Sequence, residues 1–250
     1  MNKELPLHFQ GKEALEHVIE ARIKGKAASL ETHGAELPGH YSAAFDAAKE
    51  TAFILLTLWV LFEELNFPLL PMRWLALTFL SGWLVWKTGR SAVLGWSRLE
   101  RLHRLIEEER WEIEHHRPQE KQELRALYAA KGFSGKLLDE AVDVLMADDN
   151  RLLQVMLEEE LGLSLESYEH PLKQAAGAFV GTVLSALFLY LGFFFFPDFG
   201  PLFTAALIIS CSAYFAARFE KNHTLPAIIW NLATAALGAG IAYFAAQVTR

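Results

Sequence analysis

Three long apolar stretches in the C-terminal third of the chain constrain its fold more than any other feature. They run from Leu172 to Phe196, from Pro201 to Ala217 and from Leu225 to Val248. Each has about the 17 to 25 residues that a helix needs to cross a bilayer. The segments between them, "PDFGP" and "RFEKNHTLP", carry prolines and polar residues that favour turns. Three transmembrane helices are therefore predicted here, and an apolar content of 52% agrees with a membrane protein.

Two shorter apolar segments lie nearer the N-terminus. Thr51 to Phe62 and Trp74 to Trp86 are free of charge for only about a dozen residues, fewer than the roughly 20 that a span needs. They reach that length only if Glu50, or Lys87 and Arg90, lie within the membrane or at its edge. Ionisable groups are costly there unless they face a protein interior or water. We therefore predict five spans and regard these three residues as functional candidates.

Lysine and arginine are distributed unevenly between the polar segments. The first 50 residues hold six and residues 98–173 hold eleven, whereas the loop after the first predicted span has only Arg73. Because cytoplasmic loops collect positive charge, we expect the N-terminus in the cytoplasm and the C-terminus outside. The expected location is the bacterial cytoplasmic membrane, without a visible cleavable signal peptide. A net charge of −7 argues against nucleic-acid binding.

A polar segment separates the second and third predicted spans. Helix-favouring residues from Ser91 to Glu114 extend the second span, and Pro118 ends that helix and can begin another. Apolar residues at helical spacing then predict helices over "PQEKQELRALYAAK", "GKLLDEAVDVLM" and "NRLLQVMLEEELGL". Ser134 is the predicted cap of the second, and Asp148 or Asp149 that of the third.

The predicted fold is therefore all-α, with five transmembrane helices and a cytoplasmic helical bundle inserted between the second and third. Its parts are an N-terminal amphipathic segment (1–45), the first two spans (46–97), the bundle (98–170) and the last three spans (171–250). In the N-terminal segment, His8, His17, His33 and His40 are interpreted as surface residues of an interfacial helix, with a histidine metal relay as the alternative. Gly177 and Gly181 form a GxxxG pattern, interpreted as packing within the chain, with a dimer seam as the alternative.

Seven glutamates crowd into residues 106–123, "IEEERWEIEHHRPQEKQE". Glu109 and Glu112, and likewise Glu120 and Glu123, are three residues apart and share a helix face, where like charges repel. Met156 and Glu160 share a face in the same way. One hypothesis is a solvated acidic face matched by Arg101, Arg104 and Arg110, which composition alone favours. The other is a cation site, whose carboxylates and thioether suit Fe2+ or Mn2+, with His115 and His116 as optional ligands.

The order of these parts resembles the vacuolar iron transporter family. Two spans, a long helical exit, two E-x-x-E motifs, "LYAAKGFS", "MLEEELGL" and three further spans follow one another as they do in that family. The resemblance implies a homodimer that exports Fe2+ or Mn2+ from the cytoplasm in exchange for protons, and no organic cofactor is expected. It also implies a set of metal-binding residues in the bundle: Glu109, Glu112, Glu120, Glu123, Met156, Glu160 and their neighbour Glu159.

The first two predicted spans differ from the pattern of that family. Where the family has Asn-Asp-Gly in the first span, this chain has Lys49-Glu50-Thr51, and in the second it has "WKTGRSA", with Lys87 and Arg90. Asp46 and Glu50 are the acids predicted to pair with these cations along a transport path. A metal transporter and a membrane-anchored metal-binding or sensing protein without transport both stay open. No motif of an enzyme is present.

Overall fold

The computed structural model describes residues 38–162 and 169–248. His8, His17 and His33 of the predicted N-terminal segment lie outside these residues. The described residues form helices and no strands, as the sequence predicts. In chain order the helices are α1 (Gly39–Glu64), α2 (Leu69–His115), α3 (Arg117–Ala130), α4 (Gly135–Met146), α5 (Asp149–Glu159), α6 (Pro171–Phe195), α7 (Gly200–Phe219) and α8 (Thr224–Val248).

The helix ends follow the local sequence. Pro118 stands in the first turn of α3, where its missing N–H costs nothing. Gly132 has a φ of 97° just after α3, in the left-handed region that favours glycine. Asp148 caps α5, because its side chain accepts a hydrogen bond from the Arg151 N–H. Ser134 occupies the predicted cap position of α4, but its side chain makes no capping bond.

The described chain divides into two compact units. One contains residues 38–96 and 169–248, and the other contains residues 97–162. In the first unit, α1 packs against α6, α7 and α8. Its buried residues Ala52, Leu55 and Leu56 meet Leu189, Ala205 and Ile209 of α6 and α7. Apolar contact along the middle of α1 therefore organises this unit.

Close backbone approach joins α1 to α6. A Cβ atom on Gly177 would clash with the carbonyl oxygen of His40, and one on Gly181 would clash with that of Ala44. One turn further along, the Ser185 hydroxyl donates a hydrogen bond to the Ala48 carbonyl oxygen at 2.9 Å. The interpretation of Gly177 and Gly181 as packing within the chain is confirmed.

Four of the described helices are long and apolar enough to cross a membrane: α2, α6, α7 and α8. α1 has 26 residues but carries Asp46, Lys49 and Glu50 in its first half, and it is not among the four. The structure therefore supports a multi-pass membrane protein with four candidate spans.

The second unit is a small helical bundle. Its core contains Leu102 and Ile113 of α2, Leu124 and Leu127 of α3, Leu138 and Val142 of α4, and Leu152, Met156 and Leu157 of α5. On its surface, arginines and lysines of α3 pair with aspartates that follow or lie on α4, in the bridges Arg117–Asp149, Lys121–Asp143 and Arg125–Asp139. The apolar residues that the helical spacing predicts as core thus form it, with the exception of Leu137, which is 60% exposed.

Candidate metal centre

Three glutamates from separate parts of the bundle meet in its interior. Glu109 comes from α2, Glu120 from α3, and Glu160 follows the last residue of α5. Each offers one carboxylate oxygen, and these three oxygens lie within 4.8 Å of one another. The exposed fractions of the three residues are 4%, 0% and 2%. The structure therefore gathers acids that are 51 residues apart in sequence (109 to 160) into one buried place.

Helical spacing explains why these acids point inwards. Glu109 is one turn before the core residue Ile113, and Glu120 is one turn before Leu124, so each shares a face with a core residue. Glu123 stands in the same relation to Leu127 and is 1% exposed. Met156 is fully buried, four residues before Glu160. The apolar residues that fold the bundle thus also bury its carboxylates and its thioether.

Burial perturbs the ionisation of the cluster. It is the main cause that raises the pKa of Glu120 to about 10, and the negative charges of Glu109, Glu123 and Glu112 add to it. Burial, followed by repulsion from Glu160, also raises the pKa of Glu109 well above its ordinary value. The pKa of Glu160 rises for the same reasons, burial first. At neutral pH the metal-free cluster therefore holds protons in place of full negative charge.

Two carboxyl groups of the cluster lie against each other rather than in water. The side chains of Glu123 and Glu160 are within hydrogen-bonding reach, and this interaction adds to the rise in the pKa of Glu160 that burial causes. One oxygen of Glu109 is buried without a hydrogen-bond partner among the described residues. The solvated-face hypothesis is wrong for Glu109, Glu120, Glu123 and Glu160.

The other predicted ligands differ in their surroundings. Glu112 is partly buried and close enough to raise the pKa of Glu109, Glu120 and Glu160. Glu159 forms an ion pair with Lys131. His115 lies on the surface, where its ring stacks on Trp111 and its Nδ1 is 2.9 Å from the Trp111 carbonyl oxygen. The structure thus brings Glu112 to the acids and gives Glu159 a lysine partner.

A second polar region lies among the membrane helices. A cavity of about 390 Å³ is lined by Asp46, Lys49 and Glu50 of α1 and by Trp230, Asn231 and Thr234 of α8. Lys87 of α2 reaches Glu50, with 2.5 Å between Nζ and Oε2. Lys49 pairs with Asp46 at 2.9 Å, and Arg90 is exposed. Of the predicted path residues, Asp46 and Glu50 line this cavity, and Lys87 bonds to one of them.

Comparison with known families bears on both regions. The sequence profile of the VIT family matches residues 96–247, which is more than half of the chain and includes every candidate ligand in the bundle. The chain belongs to the VIT family. The resemblance to vacuolar iron transporters is thereby confirmed, and membership indicates a membrane transporter of metal ions rather than an enzyme. No curated protein matches the chain.

The match to the VIT family begins at residue 96. Lys87, Glu50 and the rest of the cavity residues on α1 precede it, and the sequence departs from the family pattern in the same place. Sequence reasoning also missed Lys49 as a cavity residue. Its i,i+3 spacing from Asp46 was the available signal, since such pairs meet on one helix face.

Proposed function

We propose that this protein exports a divalent metal ion, Fe2+ or Mn2+, from the cytoplasm in exchange for protons. In this proposal the buried carboxylates of the bundle collect the ion, and the cavity lined by Asp46 and Glu50 lies on its path. The observation that carries the proposal is the meeting of Glu109, Glu120 and Glu160 oxygens within 4.8 Å in a buried place. VIT family membership supports the transport step.

The chemistry of the cluster suits these ions. Carboxylate oxygens favour hard divalent cations, and the thioether of buried Met156 adds a softer donor that Fe2+ accepts better than Mg2+ or Ca2+ do. An ion that binds must displace the protons that the carboxylates hold, because a metal ligand has to be deprotonated. Metal binding to the bundle is therefore linked to proton release.

The proposed membrane topology has five spans. α1 is the additional span: its charged first half faces the polar cavity, and its second half packs on α6 and α7 through apolar residues. With the N-terminus in the cytoplasm, the polar bundle lies on the same side, where it meets cytoplasmic metal. We further propose that the protein works as a homodimer, as the family resemblance implies.

A second candidate function is metal binding or sensing without transport. The pairing of Lys87 with Glu50 favours it, because a fixed positive charge on the path opposes a divalent cation. Both functions need the acidic bundle, and only transport needs the cavity. Measuring binding and flux separately therefore distinguishes them.

The test is metal flux into proteoliposomes that contain the full chain. Fe2+, Mn2+ and Zn2+ are supplied outside at two pH values, and an enclosed dye reports metal while a second dye reports protons. We expect uptake of Fe2+ or Mn2+ with counterflow of protons. The Glu120→Gln variant should lose metal binding and slow uptake, whereas Glu108→Gln, which removes an exposed acid from α2, should do neither. Metal binding without flux in the wild type would leave only the sensing function.

A further inference from the structure

Two carboxylates and one lysine of α1, Asp46, Glu50 and Lys49, line the cavity among the membrane helices. A second lysine, Lys87 of α2, is not part of the lining but pairs with Glu50 from behind it. Each carboxylate has its own lysine: Lys49 is 2.9 Å from Asp46, and Lys87 is 2.5 Å from Glu50. The four charges sum to zero, so a divalent cation that enters the cavity meets no net negative charge.

Lys87 and Glu50 differ in their access to water. The Lys87 side chain is 7% exposed, whereas that of Glu50 is 47% exposed and lines the cavity. Water in the cavity can therefore solvate Glu50 without Lys87. The buried ammonium depends on Glu50 for its counter-charge, because an unpaired charge out of water is unfavourable. Glu50 is thus the carboxylate for which an entering cation and Lys87 compete.

We infer that Lys87 is a tethered cation that occupies Glu50 when no metal is bound and thereby sets the affinity of the cavity for divalent cations. This inference rests on the proposed function, since it assigns the control of cation entry to one residue of the path. Like charges cannot share one carboxylate at short distance without strong repulsion. A divalent ion therefore binds Glu50 only when it displaces the Lys87 ammonium. As a result, the cavity needs a higher metal concentration to bind an ion than it would need without Lys87.

The first experiment measures Mn2+ binding to the full chain in detergent by electron paramagnetic resonance. All variants in this experiment also carry Glu109→Gln, Glu120→Gln and Glu160→Gln, which remove the bundle site. In this background the measured Mn2+ binding comes from the cavity. In this background we expect Lys87→Met to bind Mn2+ at least about tenfold more tightly than the background alone. Lys87→Arg keeps the positive charge and should bind no better than the background.

Lys49→Met is the matched control, because it removes one positive charge from the neighbouring ion pair while leaving Lys87 on Glu50. We expect a smaller gain from it than from Lys87→Met. Equal gains would overturn the inference, since the effect would then be one of net charge alone. Unchanged Mn2+ binding in both Lys87→Met and Lys87→Gln, with each variant monodisperse on size-exclusion chromatography, would also overturn it.

The second experiment separates this inference from the proposed function. With the bundle intact, Lys87→Met should lower the apparent KM for Mn2+ uptake by proteoliposomes at least about tenfold, while Lys87→Arg keeps the wild-type KM. Flux with an unchanged KM in Lys87→Met contradicts the tethered cation and leaves transport standing. Gain of Mn2+ binding without flux in any variant contradicts transport and supports the tethered cation.

Discussion

Replacing Glu120 with glutamine should make the metal-free bundle more stable at neutral pH. Glutamine has nearly the same shape as glutamic acid but carries no titratable proton. Glu120 is fully buried beside other acids, and its environment disfavours the charged form. The variant removes the ionisable group and keeps the volume, so the core around Leu124 should stay packed.

The size of the effect follows from the difference between the pKa of Glu120 in the folded chain and its pKa in the unfolded chain. The pKa of Glu120 is about 10 in the folded chain and 4.5 for an ordinary glutamate. Between these values the folded state holds a proton that the unfolded state has released, so stability falls by about 1.4 kcal/mol per pH unit. The stabilisation is complete below pH 4.5 and is lost as the pH rises towards 10. At about pH 7.5 the wild type has lost about 4 kcal/mol, which the glutamine variant keeps.

Hydrogen–deuterium exchange of the full chain in detergent measures this locally. Peptides from α3 and α5 are compared between wild type and variant at the same pH, so that the intrinsic exchange rates cancel. At about pH 7.5 we expect up to roughly thousandfold stronger protection in Glu120→Gln, and little difference at about pH 5. Glu108→Gln, on the exposed side of α2, should match the wild type at both pH values.

Added metal should stabilise the wild type more than the variant, which is the opposite of the order expected without metal. Added Mn2+ should increase protection in the wild type, because a ligand that binds only the folded state stabilises it, and should have little effect on Glu120→Gln. Equal protection of wild type and variant at both pH values would refute the reasoning, since Glu120 would then be ionised in the folded bundle. A variant less stable than the wild type at neutral pH would refute it as well.

Three further predictions concern packing, capping and metal removal. Gly181→Ala should destabilise the membrane helices by roughly 1–3 kcal/mol, because its Cβ would clash with the Ala44 carbonyl oxygen; thermal unfolding in detergent measures this, and Gly240→Ala, with open space around it, should be harmless. Asp148→Ala should cost the bundle about 1 kcal/mol by removing a helix cap, whereas Ser134→Ala, whose side chain makes no capping bond, should cost much less; exchange of α5 and α4 peptides separates the two. Chelation of Fe2+ or Mn2+ should lower exchange protection in the bundle more at about pH 8 than at about pH 5, since acid supplies protons that replace the metal, and equal losses at both values would contradict this linkage.

Much of the bundle could be predicted because its signals are local. Pro118, Gly132 and Asp148 mark helix ends through their own backbone geometry or side chains, and the structure places the ends there. The inward faces of α3, α4 and α5 follow from apolar residues repeated at helical spacing. The helices of the bundle could therefore be predicted from local sequence, and the E-x-x-E spacing indicated which acids share a face.

Burial of the acids could not be predicted in the same way. Whether a helix face points to water or to the core depends on residues far away in sequence, as the meeting of Glu109 with Glu160 shows. The sequence predicts that Asp46 or Glu50 pairs with Lys87 or Arg90, but only the structure shows that Glu50 bonds to Lys87, 37 residues away. Composition favoured a solvated face because it counts charges without regard to depth.

The contact of Gly177 and Gly181 with α1 also limits how the cavity can open. Backbone lies against backbone at two successive turns, and the Ser185 hydroxyl bonds to the α1 backbone at the next turn, so neither helix can slide or rotate without separating from the other. We therefore expect α1 and α6 to move together as one rigid unit. The opposite wall of the cavity comes from α8. In the most apolar part of this helix, no residue is fully buried inside the protein. For the transport proposed above, we expect the cavity to open by movement of α8 relative to α1 and α6.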